Sequence, residues 1–222
     1  MRGALANVCA AGLLCAPGGA AMAHPHVFID AAAAVIFNEA GEVAALRIGW
    51  SYDEFYSLVM IEDKGLDADG DGTPEAAQLD AFAGNDVDWA AGFPGDVVLS
   101  VGGEAVALSA PIRHRALYEN GRIITTHVRP LEAPIAASEA PVTLQIYDPS
   151  YFVAYDVPVL PILEGRAVCA LARVRADSES AQEEYGDKLA AIDVSGDPFE
   201  AVDLGDIGVL FADSFSLTCA AR

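Results

Sequence analysis

The sequence predicts an α+β protein: a mostly antiparallel, sandwich-like β domain with an EF-hand-like helix–loop–helix insertion at about residues 51–84. Three observations lead there. Hairpin signals recur along the chain, Gly102-Gly103 and Asn120-Gly121 foremost, each flanked by alternating apolar residues. A twelve-residue acidic loop, Asp67–Gln78, stands between two helical patterns. No internal repeat or low-complexity stretch divides the chain further. With 222 residues, 53% of them hydrophobic, there is material for one sizeable core.

The first 23 residues read as a secretory signal: Arg2, an apolar run over 8–16, and Ala21-Met22-Ala23 as a small-residue cleavage site. The apolar run is too short to span a membrane. The expectation is a soluble exported protein, with residues 24–222 as a single β-rich domain. The chain carries 12 Lys and Arg against 33 Asp and Glu, a net charge of −21. Such a surface repels nucleic acid and anionic lipid and attracts cations.

In chain order, Val27, Ile29, Val35 and Phe37 alternate as a half-buried strand, Asn38–Gly41 turns, and Val43, Leu46, Ile48 and Trp50 return. The change of phase between Val43 and Leu46 predicts a bulge. Ser51-Tyr52-Asp53-Glu54 has the pattern of a capping box, opening a helix with Phe55, Leu58, Val59 and Glu62 on one stripe and Gly65 as its stop. After the acidic loop, Thr73 as cap and Pro74 at the first helical position start a second helix, with Leu79 and Phe82 inward and Gly84 at its end. Residues 84–95 are irregular. Strands follow over 97–101, 104–108, both sides of Asn120-Gly121, 142–147, 151–157 and 168–174. A helix is expected over 178–192, and a closing strand through Phe215 and Leu217.

The acidic loop has the spacing of a calcium site. Asp67, Asp69 and Asp71 fall at positions 1, 3 and 5, the carbonyl of Thr73 at 7, Glu75 at 9 and Gln78 at 12, with Gly72 at the sharp turn of position 6. Carboxylates this close repel one another, and a hard cation is the usual reason for converging them. Gln78 offers one neutral oxygen in place of a bidentate carboxylate, and Pro74 has no N–H for pairing with a second hand. A single weak Ca²⁺ loop follows, with an affinity on the order of 0.1–1 mM.

The chain has four histidines. Cleavage after Ala23 would make His24 the N-terminus, and its free amine and imidazole together can chelate a transition metal. His26 could join through its side chain, with Asp30 as a carboxylate partner on the same strand face. A two-residue turn at Asn120-Gly121 places His114 opposite His127, close enough for a shared ion such as Zn²⁺, Cu²⁺ or Ni²⁺. Two exposed histidines on a polar face are the plainer reading of that pair. Cys169 and Cys219 are the cysteines left after the signal, and in an oxidising compartment they predict a disulfide, with a Cys–Cys metal site as the lesser alternative. Tyr147, Tyr151, Phe152 and Tyr155 could line a ligand cleft, although aromatics beside a turn are more often core.

Four stretches taken together resemble a domain family of unknown function: His24–Asp30, Asp67–Gln78, Asp148-Pro149-Ser150-Tyr151-Phe152, and Gly208–Asp213 with Cys219. Its members are often labelled periplasmic component of an uncharacterised ABC-type transport system, and are commonly encoded beside nickel/cobalt efflux permeases. The resemblance implies a periplasmic protein that handles a divalent transition metal (nickel, cobalt, zinc or copper) and has an inner-membrane metal transporter as partner. It supplies no catalytic residues. The leading expectation is therefore a metal-binding accessory protein and not an enzyme. A solute-binding component of an ABC transporter is the alternative, and a copper enzyme using an N-terminal His the second alternative. The chain has no Ser–His–Asp order, no His-Glu-x-x-His and no phosphate loop to support hydrolytic or nucleotide chemistry.

Overall fold

The computed structural model describes residues 25–165, 168–194 and 205–220. Residues 1–24, which hold the expected signal segment and His24, lie outside them. The fold is mixed α+β, with mostly antiparallel strands in two sheets and three α-helices among the described residues.

The first sheet is built around β1 (Val27–Phe37). Its alternate residues Val27, Ile29, Ala31, Ala33, Val35 and Phe37 are buried. β1 pairs antiparallel with β2 (Val43–Tyr52), and β2 pairs with β6 (Arg122–Ile135). The expected irregularity is present: the β2–β6 register shifts between Val43 and Ala45, so that Val43 and then Leu46, Ile48 and Trp50 all face inward. β5 (Ile112–Glu119) closes one edge against β6 across the Asn120-Gly121 turn. On its other side β1 takes β8 (Val153–Asp156) and β9 (Ile162–Glu164) in parallel. These parallel pairings were not foreseen from hairpin signals, because the partners come from distant parts of the chain.

The second sheet runs β10 (Cys169–Val174), β11 (Ser214–Cys219), β7 (Val142–Ile146), β3 (Val97–Val101), β4 (Glu104–Ala105). β4 is shorter than expected. Val106 still donates its N–H to the Leu99 carbonyl of β3; the chain then reaches β6, where Leu108 bridges Leu131 and the Ser109 N–H donates to the Pro130 carbonyl. Val97, Leu99, Val142, Leu144, Ile146, Phe215 and Leu217 share one core with the inner face of the first sheet. Cys169 and Cys219 face each other in the β10–β11 register and form the disulfide. Reducing it is expected to lower the unfolding free energy by about 2–3 kcal/mol, as the released chain gains loop entropy. A urea midpoint unchanged by reductant would contradict this.

α1 (Glu54–Lys64) departs from its sequence reading in two ways. Its cap is Asp53, whose side chain accepts from the Tyr56 N–H at 2.8 Å; Ser51 instead lies in β2 opposite Asp30. Its buried face is Ser57, Met60 and Ile61, while Phe55 and Leu58 are 74% and 56% exposed. The polar Ser57 hid this face. Its hydroxyl donates to the Tyr52 carbonyl and accepts from the Ile123 N–H, so burial leaves it satisfied. Gly65 ends the helix in the left-handed region, as expected. α2 (Ala76–Phe82) starts later than expected, with Glu75 and not Thr73 at the cap position; Leu79 and Phe82 are buried. α3 spans Ser178–Val194. No helix among the described residues is long and apolar enough to cross a membrane.

Candidate functional site

Between α1 and α2 the carboxylates of Asp67, Asp69 and Asp71 converge, with one oxygen from each within 4.8 Å of the others. The loop backbone holds them there. Asp67 accepts from the N–H groups of Gly70, Asp71 and Gly72 at 2.9, 3.2 and 2.8 Å. Asp69 accepts from Asp71 N–H at 3.1 Å, and Asp71 from Thr73 N–H at 2.8 Å. Gly70 and Gly72 supply the left-handed turns, with φ of 76° and 87°. An ionised carboxylate has about four lone-pair sites, so these bonds leave oxygen lone pairs for a cation. Gln78, in α2 after the loop, has a buried Oε1 with no hydrogen-bond partner. Glu75 does something the spacing did not reveal. Both its oxygens accept from the Ala68 N–H, and one also from Asp69 N–H, which clasps the start of the loop to its end. The Ala68 bond is the main reason its carboxyl is held below the usual range.

The N-terminal group is arranged differently from its sequence reading. His26 packs its ring on Phe152 with centroids 4.7 Å apart, and its N–H donates to the Phe152 carbonyl. Asp30 is paired with Arg122, whose guanidinium also donates to the carbonyls of Tyr52 and Ser51. The extended chain from His26 into β1 sets His26 and Asp30 about 13 Å apart. Asp30 therefore cannot share an ion with His26.

The other two histidines do meet, though not as an ordinary cross-strand pair. The β5–β6 register follows the Asn120-Gly121 turn as far as Arg115↔Thr126, then shifts before Ile112↔Val128. Arg113, in the shift, takes a left-handed φ of 57°. The rings of His114 and His127 end 6.1 Å apart and tilted by 32°. They are not exposed on a polar face. His127 is buried, edge-on to Trp50 and Trp89 at 4.9 and 5.1 Å. His114 fills the space over Gly84, where a Cβ would lie 2.7 Å from its ring. Burial, then Arg129, then His114 push the His127 imidazole down to about 3, so it is neutral at physiological pH. Its Nε2 has no hydrogen-bond partner.

Behind this aromatic box lies a second buried titratable group, which the sequence did not single out. Asp96 accepts from the Tyr155 hydroxyl at 2.8 Å, and burial raises its carboxyl to about 7. Where the two sheets meet, a cleft of about 330 Å³ is lined by Tyr147, Tyr151 and Tyr155 together with Arg173 and Arg175. Tyr151 stacks on Phe211 at 3.8 Å, and the Tyr147 hydroxyl donates to Asp206. Phe152 lies outside the cleft lining and faces His26 instead.

The family model described as "Protein of unknown function (DUF1007)" matches residues 9–219, and the chain belongs to that family. No curated protein and no solved structure matches it.

Proposed function

We propose that this family member is an exported, periplasmic divalent-cation-binding protein that serves as an accessory to an inner-membrane transition-metal transporter, and that it binds rather than transforms its ligand. In this reading the α1–loop–α2 segment is an EF-hand-like hand whose calcium fixes the helix pair. The transition metal (nickel, cobalt, zinc or copper) is taken by His24 and His26, without Asp30. The observation that carries the cation half is the convergence of Asp67, Asp69 and Asp71, with Gln78 Oε1 still lacking a partner. Calcium would add charge neutralisation at three mutually repelling carboxylates. The resemblance of the chain to proteins encoded beside metal permeases supports the transport half, and the disulfide and the signal-like leader support export.

Calorimetry on protein starting at His24 should show one weak Ca²⁺ event, on the order of 0.1–1 mM. Asp67→Ala removes a ligand and three backbone hydrogen bonds at once, so Asp69→Asn is the cleaner variant, because it keeps an acceptor for Asp71 N–H. It should weaken Ca²⁺ at least tenfold with little change in melting temperature. No heat at several millimolar Ca²⁺ would end the hand reading. For the transition metal, Ni²⁺, Cu²⁺ and Zn²⁺ affinities are compared with those of protein carrying one extra alanine before His24. Equal affinities would remove the amine from the site.

A second reading has its own support. The cleft between the sheets is at the small end of ligand pockets and has a mixed aromatic and charged lining, as a solute-binding component would need.

A further inference from the structure

The outer face of β5, β6 and β2 carries a concentration of positive charge that the cation reading does not use. Arg47, Arg113 and Arg115 line one depression of about 560 Å³, with Thr126, Val128, His114 and His127 between and behind them. No acidic residue is in that lining, although the chain as a whole has 33 acidic residues to 12 Lys and Arg.

The pairing register explains the convergence. Arg115 stands opposite Thr126, and Thr126 opposite Gly49; Arg47 stands opposite Val128, and Val128 opposite Ile112. On β2 the neighbours of Arg47, Leu46 and Ile48, are buried, which puts Arg47 on the solvent side of the sheet. Two strand spacings, about 9–10 Å, separate β5 from β2, with the short Thr126 and Val128 side chains between the guanidiniums. A regular strand cannot turn Arg113, His114 and Arg115 toward one cavity. The register shift and the left-handed Arg113 do so, at a backbone conformation that a non-glycine residue rarely adopts. Arg47 is held by Glu164. Among the described residues Arg113 and Arg115 have neither an ion pair nor a side-chain hydrogen bond.

We propose that this depression binds a small multivalent oxyanion, a phosphate or a polycarboxylate, with Arg113 and Arg115 as the primary contacts and Arg47 and the Thr126 hydroxyl completing the site. Guanidinium donors match planar and tetrahedral oxyanions in pairs of hydrogen bonds. The strongly acidic remainder of the surface does not forbid this. At physiological ionic strength the screening length is about 8 Å, so the anion responds mainly to the nearby guanidiniums. The proposal does not depend on the calcium or transition-metal reading. Its rival is that β5 is an edge strand whose arginines discourage pairing with another chain.

The test titrates the oxidised mature protein with inorganic phosphate and, separately, with citrate at 0.15 M salt. Saturable binding of at least one is expected, and the stronger arm names the oxyanion class. Arg113→Gln/Arg115→Gln should weaken binding at least tenfold while the near-ultraviolet spectrum and melting temperature stay as in the parent. Arg115→Lys, which keeps charge but loses the fork, should fall between. Failure of both anions to bind overturns the proposal. So does equal binding by the double variant, and new self-association of that variant on sizing would then assign the arginines to guarding the β5 edge.

Discussion

Replacing His127 with Phe is expected to make the protein more acid-resistant, and replacing Asp96 with Asn to make it more stable near neutrality. The two groups oppose each other. His127 has a native value of about 3 against an ordinary 6.5. Below pH 6.5 the unfolded chain takes up a proton that the native state refuses, so this group destabilises the fold increasingly as pH falls from 6.5 to 3. At one unit to 1.36 kcal/mol, the full effect is about 4–5 kcal/mol. Asp96 has a native value of about 7 against an ordinary 3.8. Between those values the unfolded chain releases a proton that the native state keeps, so this group destabilises the fold as pH rises from 4 to 7, by about 4 kcal/mol in full. From pH 4 to 6.5 the two slopes nearly cancel, and each single variant exposes the other. The measurement is the difference in urea unfolding free energy between variant and parent at each pH, which removes the shared response of the many surface carboxylates. The His127→Phe difference should grow toward low pH and the Asp96→Asn difference toward pH 7. Flat difference curves would show that neither group is perturbed as its burial implies. Phe suits the His127 position because the ring is packed edge-on against two indoles, and Asn at Asp96 keeps an acceptor for Tyr155.

Local signals in this chain were legible where they were self-contained. The Asn120-Gly121 turn, the phase change after Val43, the Gly65 stop and the Cys169–Cys219 bond all lie where the residues point. Long-range pairing was not. β8 and β9 lie parallel to β1 because the sheet edge beyond Val27–Phe37 must be covered, and nothing near Tyr155 or Leu163 encodes that partner. The α1 face runs against side-chain polarity: Ser57 is hydrogen-bonded inside while Phe55 and Leu58 stay outside.

The candidate sites divide in the same way. The convergence of Asp67, Asp69 and Asp71 follows from spacing alone, since loop turns are local. The clasp by Glu75 is equally local but needed the start of α2 to be placed at Ala76 instead of Pro74. The sequence predicts His114 directly opposite His127; the rings do lie near each other, but outside the regular ladder. A two-residue turn gives the register near Glu119, yet the shift beyond Arg115 takes His114 out of the ladder and packs it over Gly84. Trp50 and Trp89, the only tryptophans, were the available signal that the surroundings of His127 would be buried. Asp96 gave no signal, because one Asp in a Gly-Pro-rich loop reads as a solvated turn.

Gly208→Ala is expected to be among the most damaging single-methyl additions in the protein. A Cβ at Gly208 would lie 1.8 Å from the carbonyl oxygen of Asp148 and 2.8 Å from its carbon. Both are backbone atoms, so no side-chain rotation relieves the clash. The Gly208 N–H also donates to the Pro149 carbonyl at 3.0 Å, and three residues later Phe211 stacks on Tyr151. These contacts together seat the Gly208–Phe211 turn on the Asp148–Phe152 turn and shape one wall of the cleft between the sheets. Separating them should cost more than about 3 kcal/mol, at or beyond the upper end of ordinary overpacking. For a chain of this size that lowers the melting temperature by roughly 6–12 °C. Gly49→Ala is the matched control: its Cβ would meet nothing nearer than 3.6 Å, and a shift within about 1 kcal/mol is expected. The disulfide still ties β11 to β10 in the variant, so a local change in the near-ultraviolet signal of Tyr151 should accompany the loss of stability. Equal melting temperatures for Gly208→Ala and Gly49→Ala would mean that the two turns are not seated on each other in solution. Arg173, anchored to Asp213, and the Tyr147 hydroxyl on Asp206 would then remain as ties between the C-terminal segment and the second sheet.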